Sequence, residues 1–144
     1  MRSLLTPFFA LLALNAFSQC LIQKIPFNQR VEQASLIVEG EVISQQCFED
    51  ELTSRIFTIN TIEVYNTLKG AKNSQVELIT FGGKIGDRLE MASPSLKVQV
   101  GDVGVFLLAY HSIYNSGKNA GYFGVSGPSS FVVYNKINQK AIDA

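Results

Sequence analysis

The strongest constraint on the fold of this chain is the stretch of residues 55–83, which carries two strand-like patterns joined by a turn. Its first half is rich in Ile, Phe, Thr, Val and Tyr, the residue types that strands favour. A turn is predicted at residues 68–70, and a second strand over residues 75–81 ends at the glycine pair Gly82-Gly83. The stretch therefore predicts two consecutive strands at the centre of the fold.

The first of these strands contains a break in its alternation. Phe57 and Ile59 fall on one face, whereas Ile62 and Val64 fall on the other by strict period-two counting. One extra residue near positions 60–61 would return all four side chains to a single buried face. We therefore predict a β-bulge there, a feature that lets a small sheet coil and close into a barrel.

Residues 35–46 also alternate, and they predict a strand with one buried face. Ile37 falls on the opposite face, which we expect to be the outer one. A short helix is predicted just before this strand, over residues 28–34, with Asn28 as its N-cap. The residues on the predicted buried face of the strand are Leu36, Val38, Gly40 and Val42.

Residues 103–109 are apolar without interruption, and turn residues precede them. This pattern predicts a strand covered on both faces, with Phe106 and Leu107 pointing in opposite directions. Residues 88–95 lack a period and predict an irregular connection. Three shorter strands are predicted at residues 96–100, 122–125 and 131–134.

Short strand patterns with a turn at each junction are typical of an all-β fold. The length of 144 residues suits one domain, which we predict over residues 19–144. We expect a small closed or partly closed OB-like barrel of five to six strands with one short helix, and a β-sandwich is the alternative.

Residues 1–18 have the pattern of a secretory signal peptide. Arg2 supplies the positive charge, and an apolar run occupies residues 4–14. Ala16 and Ser18 are the small residues that signal peptidase reads. The apolar run is too short to cross about 30 Å of hydrocarbon, so we expect no stable membrane span after cleavage.

Cleavage at this site predicts a mature chain that begins at Gln19 and is secreted or held at the cell surface. A lipoprotein acylated at Cys20 is the alternative, although Gln19 stands where an acylation signal has Gly, Ala or Ser. Cys20 and Cys47 both lie in the exported part. In an oxidising compartment the pair predicts a disulfide worth roughly 3 to 4 kcal/mol, and two free thiols are the alternative.

The charge balance argues against partners that are bound by a basic surface. Twelve basic and twelve acidic residues cancel. Nucleic acids and anionic membranes are bound by a basic face, so we predict that the protein binds neither. An unknown protein or glycan partner remains.

None of the candidate chemical sites has a spacing typical of catalysis or of cofactor or metal binding. His111 is the only histidine and is predicted to lie on the surface at a strand end. Residues 49–51 are acidic but lack the pattern of a calcium loop, and a hairpin tip is expected. The glycines of residues 82–86 favour a rim turn over a phosphate site. Aromatic residues cluster in the last third of the chain, where they either stack against a ligand or pack in the core or rim. They are Tyr110, Tyr114, Tyr122, Phe123 and Tyr134.

Four segments together resemble a known family. Residues 34–42, 64–70, 81–83 and 100–107 are similar to the netrin-module and tissue-inhibitor-of-metalloproteinase type of OB barrel. The similarity is greatest to versions at the N-termini of exported multidomain proteins of Bacteroidota. In the metalloproteinase inhibitors an N-terminal cysteine chelates the target's zinc, whereas here Cys20 would be the second residue of the mature chain.

The resemblance implies a secreted, non-enzymatic β-barrel module that mediates binding or serves as an accessory domain of a larger surface or secreted protein. A protease inhibitor or the pro-domain of a metalloprotease is the first alternative. A hydrolase with a site that the sequence does not reveal is the second. No cofactor is predicted.

Overall fold

The computed structural model describes residues 24–112, 120–134 and 141–142. The mainly β structure of this part agrees with the predicted fold class. A short 3-10 helix at Gly127–Ser130 also lies within it. The elements in chain order are helix α1 (Phe27–Gln33) and strands β1 (Leu36–Glu49), β2 (Ile56–Lys69), β3 (Gln75–Ile85), β4 (Arg88–Met91), β5 (Val103–Ser112), β6 (Ala120–Gly124), β7 (Phe131–Tyr134) and β8 (Ala141–Ile142).

Five of the strands form a ring. The order β1-β2-β3-β6-β5 returns to β1 because β5 also pairs with β1. The ring is antiparallel except between β3 and β6, which meet in parallel at the single pair Leu78 and Tyr122. This junction makes the barrel partly closed. Strand β4 pairs with β3, β7 with β5, and β8 with β7 outside the ring.

The interior of the ring is the main apolar core. Alternate residues of β1, β2, β3 and β5 point inward, as the period of a strand requires. Stacked Phe106 and Phe131 rings, with centroids 4.5 Å apart, fill the side next to β7. The buried members of this core are Leu36, Val38, Val42, Ile62, Val76, Leu78, Leu96, Val98, Phe106 and Leu108.

A second apolar cluster lies on the outer side of the ring, and it corrects the placement of Ile37. That side chain is only 6% exposed, because it packs with Leu107 and Val132 beneath the end of α1. Residue alternation correctly put Ile37 opposite the inner face, but a helix covers the outer one. The prediction for β5 is confirmed at its centre, where Phe106 and Leu107 are both fully buried on opposite sides.

A third cluster explains the apparent break in β2. Phe57 and Ile59 belong to an outer group with Ile79 and Phe123, while Ile62 belongs to the core. Because both faces carry apolar residues, no inserted residue is needed. The register between β2 and β3 runs without interruption from Phe57 to Glu63, so the predicted bulge at residues 60–61 is wrong. The β1–β2 ladder is irregular instead, with the nearest extra residue on β1 at Ile43.

The helix begins earlier than predicted and buries a charge. Pro26, rather than Asn28, occupies the N-cap, and no side chain caps the helix. Arg30 is buried beside the 3-10 helix, where its guanidinium donates to the Ser129 carbonyl. The same group lies 5.2 Å from the centre of the Phe27 ring, a favourable cation–π geometry. Arg30 thus ties α1 to the barrel.

Several strand boundaries also differ from the predictions. Residues 88–91 form β4 rather than an irregular connection, and β3 continues through Gly82 and Gly83. Residues 96–100 form no strand, although Leu96 and Val98 alternate inward and help to fill the core. The turn before β5 is confirmed, since the Asp102 amide donates to the Gln99 carbonyl over 3.0 Å. Strand β8 lies after β7, which was expected to be last.

Candidate functional site

The β3–β4 hairpin extends beyond the ring, and glycine lets it pack closely there. Gly86 forms its turn with a φ of 58°. Gly83 has a φ of 149°, and a Cβ on it would lie 2.7 Å from both Cys47 Sγ and Thr58 Oγ1. The rim-turn interpretation therefore holds for Gly86, whereas Gly82 and Gly83 lie within a strand. The missing side chain at Gly83 is what allows the hairpin to contact the barrel wall.

Two ion pairs fasten this hairpin to the β1–β2 loop. The Glu90 carboxylate accepts from the Ile56 amide over 2.9 Å and pairs with Arg55. Arg88 pairs with Glu49 over 2.7 Å. The Ile56 amide and then Arg55 hold the pKa of Glu90 below its usual value, and the hydrogen bond with Glu49 raises the pKa of Arg88. The ladder with β3 positions β4, and these polar contacts tie it to the neighbouring β1–β2 connection.

Between this hairpin and residues 92–99 lies a cleft of about 330 Å³, which we call the barrel-mouth cleft. Its lining mixes apolar, polar and charged side chains with the bare backbone of two glycines. Such a mixture can orient a ligand as well as bury it. The lining residues are Gln45, Thr58, Thr80, Phe81, Gly82, Gly83, Lys84, Leu89, Glu90, Met91, Ala92, Ser95, Leu96, Lys97, Val98 and Gln99.

A hydrogen-bonded network forms the inner wall of the cleft. Asn60 is buried and donates to the Leu78 carbonyl over 2.9 Å. The Gln45 amide donates to Asn60 over 2.7 Å and to the Val98 carbonyl over 2.8 Å. Thr58 donates to the Gly82 carbonyl over 2.7 Å. Asn60 is buried and does not itself line the cleft, but its hydrogen bonds to Gln45 and Thr80 hold these two lining side chains in place.

The outer rim of the cleft exposes large apolar side chains. Leu89 is 65% exposed and Met91 is 78% exposed, and both belong to β4. Phe81 of β3 is 49% exposed beside them. These rim residues were missed by sequence reasoning. The alternation of Arg88-Leu89-Glu90-Met91 was the available signal, but four residues are too few for a firm strand prediction.

A second concavity lies beside α1 and is almost wholly apolar. It has a volume of about 440 Å³ and is bordered by Phe27, Ile37 and Leu68 among others. Lys69 spans its edge by donating to the Val31 carbonyl over 2.8 Å, near the C-terminal end of the helix. This groove lacks the mixed polar lining of the barrel-mouth cleft.

Those residues considered from the sequence that the structure describes do not assemble into a reactive site. His111 is exposed near the end of β5, as expected. Its ring centroid lies 6.2 Å from that of Phe123. Asp50 is buried at the hairpin tip, where it accepts hydrogen bonds from the Thr53 amide and hydroxyl. Across the ranges that the structure describes, no group of three or more His, Cys, Asp or Glu residues could hold a metal ion.

The late aromatic residues are spread over three places. Tyr110 and Tyr122 make an edge-on pair with ring centroids 5.5 Å apart. Phe123 lies in the outer cluster that contains Phe57. The Tyr134 hydroxyl donates to Glu39 over 2.8 Å, which raises the pKa of that tyrosine. Tyr114 lies outside the described residues. The described members do not form one continuous platform.

Cys47 forms no disulfide with any described residue, and its sulfur lies 3.4 Å from the Thr58 hydroxyl oxygen. Cys20 and the whole of the predicted signal peptide lie outside the described residues, so the disulfide and the export signal stay predictions. Among residues 24–112, 120–134 and 141–142, no helix has the length and apolar character needed to cross a membrane.

The partly closed five-strand ring agrees with the predicted fold class, but it does not distinguish a netrin-type module from other small barrels. The features of this protein that bear on its function are therefore the cleft and its rim. Comparison of the chain with protein-family models, with curated proteins and with solved structures found no match.

Proposed function

We propose that this protein is an exported, non-enzymatic binding module that holds a protein partner at the barrel-mouth cleft. The observation that carries the proposal is the exposure of Leu89 and Met91 on β4, a strand fixed in place by the contacts of Glu90 and Arg88. A positioned apolar rim around a partly polar cleft is the kind of surface that protein partners bury.

The rim can supply a useful share of a binding free energy. Full burial of a Leu or Met side chain is worth roughly 1.5 to 3 kcal/mol. The lining side chains of Gln45 and Thr58 need no rearrangement before binding, since both are already hydrogen-bonded. A pre-formed site loses less conformational entropy on association.

Export is supported by the sequence pattern of residues 1–18 alone. The protein acts by itself or as an accessory domain of a larger surface or secreted protein, and the same cleft serves either arrangement. Inhibition of a protease through zinc chelation would depend on Cys20, which lies outside the described residues, and a pro-domain role is the other alternative. No specific contact of the described residues favours those alternatives, so they stay hypotheses from the sequence.

Site-specific photocrosslinking in the producing cells tests the proposal. A photoreactive residue in place of Met91 should give a discrete adduct with another protein after irradiation. The matched control is the same substitution at Lys72, an exposed residue in the loop between β2 and β3. We expect no such adduct there, because Lys72 lies at the opposite end of β3 from the cleft.

The adduct at position 91 should disappear when Leu89→Ser is added to the same chain, because the partner would lose its apolar contact. No adduct at position 91, equal adducts at positions 91 and 72, or an adduct only at twice the mass of the chain would contradict the proposal.

A further inference from the structure

Two lysines at the barrel-mouth cleft have no carboxylate partner within the described part of the chain. Lys84 of β3 and Lys97 of the facing segment are both exposed and both line the cleft. Glu90, which also lines it, is already paired with Arg55 and hydrogen-bonded to the Ile56 amide. The two lysines therefore leave the cleft with positive charge that no described carboxylate neutralises.

The main chain next to the cleft also has unused hydrogen-bonding groups. Residues 96–98 belong to no strand or turn and make no backbone–backbone hydrogen bond with any described residue. The Val98 carbonyl is used by Gln45, and the side chains of Leu96 and Val98 point into the core. The Leu96 carbonyl accepts from the Ser95 hydroxyl over 3.4 Å, and the remaining peptide groups of residues 96–98 have no hydrogen bond with a described residue and are available to an extended chain.

We propose, on the basis of the binding function argued above, that the partner inserts an extended segment in which acidic residues neighbour apolar ones. Its main chain pairs with residues 96–98, which is a form of strand addition. Its apolar side chains lie against Leu89 and Met91. Its carboxylates lie near Lys84 and Lys97, where a basic segment would be repelled.

A random peptide library displayed on phage and selected against the full exported chain tests this. The enriched peptides should carry at least one Asp or Glu close to large apolar residues. One synthetic peptide from the selection should then bind the Lys84→Glu/Lys97→Glu variant about tenfold more weakly, the change expected when two exposed charge pairs become repulsive. The Lys72→Glu variant is the matched control and should bind the peptide unchanged.

A selection that yields no peptides, yields peptides without acidic residues, or yields peptides that bind the Lys84→Glu/Lys97→Glu variant equally well would overturn the inference. That failure differs from a failure of the proposed function. An adduct at position 91 in cells, combined with peptides lacking acidic residues, would leave the binding module intact and remove only the acidic partner segment.

Discussion

Two of the apolar regions outside the core of the barrel differ in what lies over them. On the wall beside α1, Ile37 and Leu107 are covered by the helix and by Val132. On the β3–β4 hairpin, Leu89 and Met91 lie beside an open cleft. Both regions consist of strand residues with large aliphatic side chains, so residue type alone does not separate them.

The difference lies in how each region is held. Burial of Ile37 and Leu107 contributes directly to folding, since their apolar surface leaves water. The hairpin is instead positioned by Gly83 and by the ion pairs of Glu90 and Arg88. Its apolar side chains are therefore free to serve an interaction. The comparison predicts that stability and binding depend on different residues.

The largest expected effect is on the covered wall. Leu107→Ala should lower the free energy of unfolding by roughly 2 to 5 kcal/mol because it leaves a cavity in a fully buried site. Phe106→Ala and Ile37→Ala should also be strongly destabilising, since both side chains are buried. Denaturant unfolding midpoints measure all three. Met91→Ala is the control and should stay within about 0.5 kcal/mol of the parent.

If Ile37→Ala were as mild as Met91→Ala, the helix would not cover the wall in solution and the comparison would fail. If Met91→Ala were as damaging as Leu107→Ala, the hairpin rim would be part of the fold rather than a free surface.

A smaller effect is expected at the glycine that lets the hairpin pack on the barrel. Gly83→Ala should lower stability by about 1 to 3 kcal/mol, because its φ is unfavourable for alanine and the new Cβ would clash with Cys47 and Thr58. Gly86→Ala is the matched control, with a positive φ but no atom within 4 Å of the new Cβ. Equal losses for the two variants would show that close packing at Gly83 is unimportant.

The smallest effect is expected from the ion pair that orients β4, and it should depend on pH. The pKa of Glu90 lies below its ordinary value of 4.5 in the folded protein, so its stabilising contribution is present above that value. The contribution should disappear as pH falls through the lowered pKa. Thermal unfolding of Glu90→Gln should therefore show a deficit at neutral pH that vanishes in acid, and Glu77→Gln serves as a control for loss of an exposed carboxylate.

A deficit in Glu90→Gln that persisted unchanged in acid would mean that the carboxylate charge does not matter there. The contacts with Arg55 and Ile56 would then contribute through shape alone.

The fold class could be predicted because alternation is a local property of the sequence. The inward residues Leu36, Val38 and Val42 were placed correctly. What covers the opposite side is decided by distant elements, and so Ile37 was wrongly placed in solvent. The same reason accounts for the bulge at residues 60–61, which was inferred by assuming that only one face of β2 is buried.

The site was less accessible to sequence reasoning. Leu89 and Met91 come from a stretch without a clear period and Lys97 from a predicted short strand, and only the fold brings them around one cleft. The glycine pair was noticed for the conformations that it permits. Its closeness to Cys47 depends on the pairing of three strands, which no local pattern specifies.

The central claim is that the cleft rim serves binding and not folding. The most direct measurement places a photoreactive residue at Lys97, on the other side of the cleft, in a protein that carries Leu89→Ser and Met91→Ser. Adduct formation and the unfolding midpoint are then recorded for this same protein. We predict that the adduct is lost. The free energy of unfolding, obtained from the midpoint, should change by no more than about 0.5 kcal/mol per substitution. An adduct that persists, or a loss of stability as large as that of Leu107→Ala, would contradict the account.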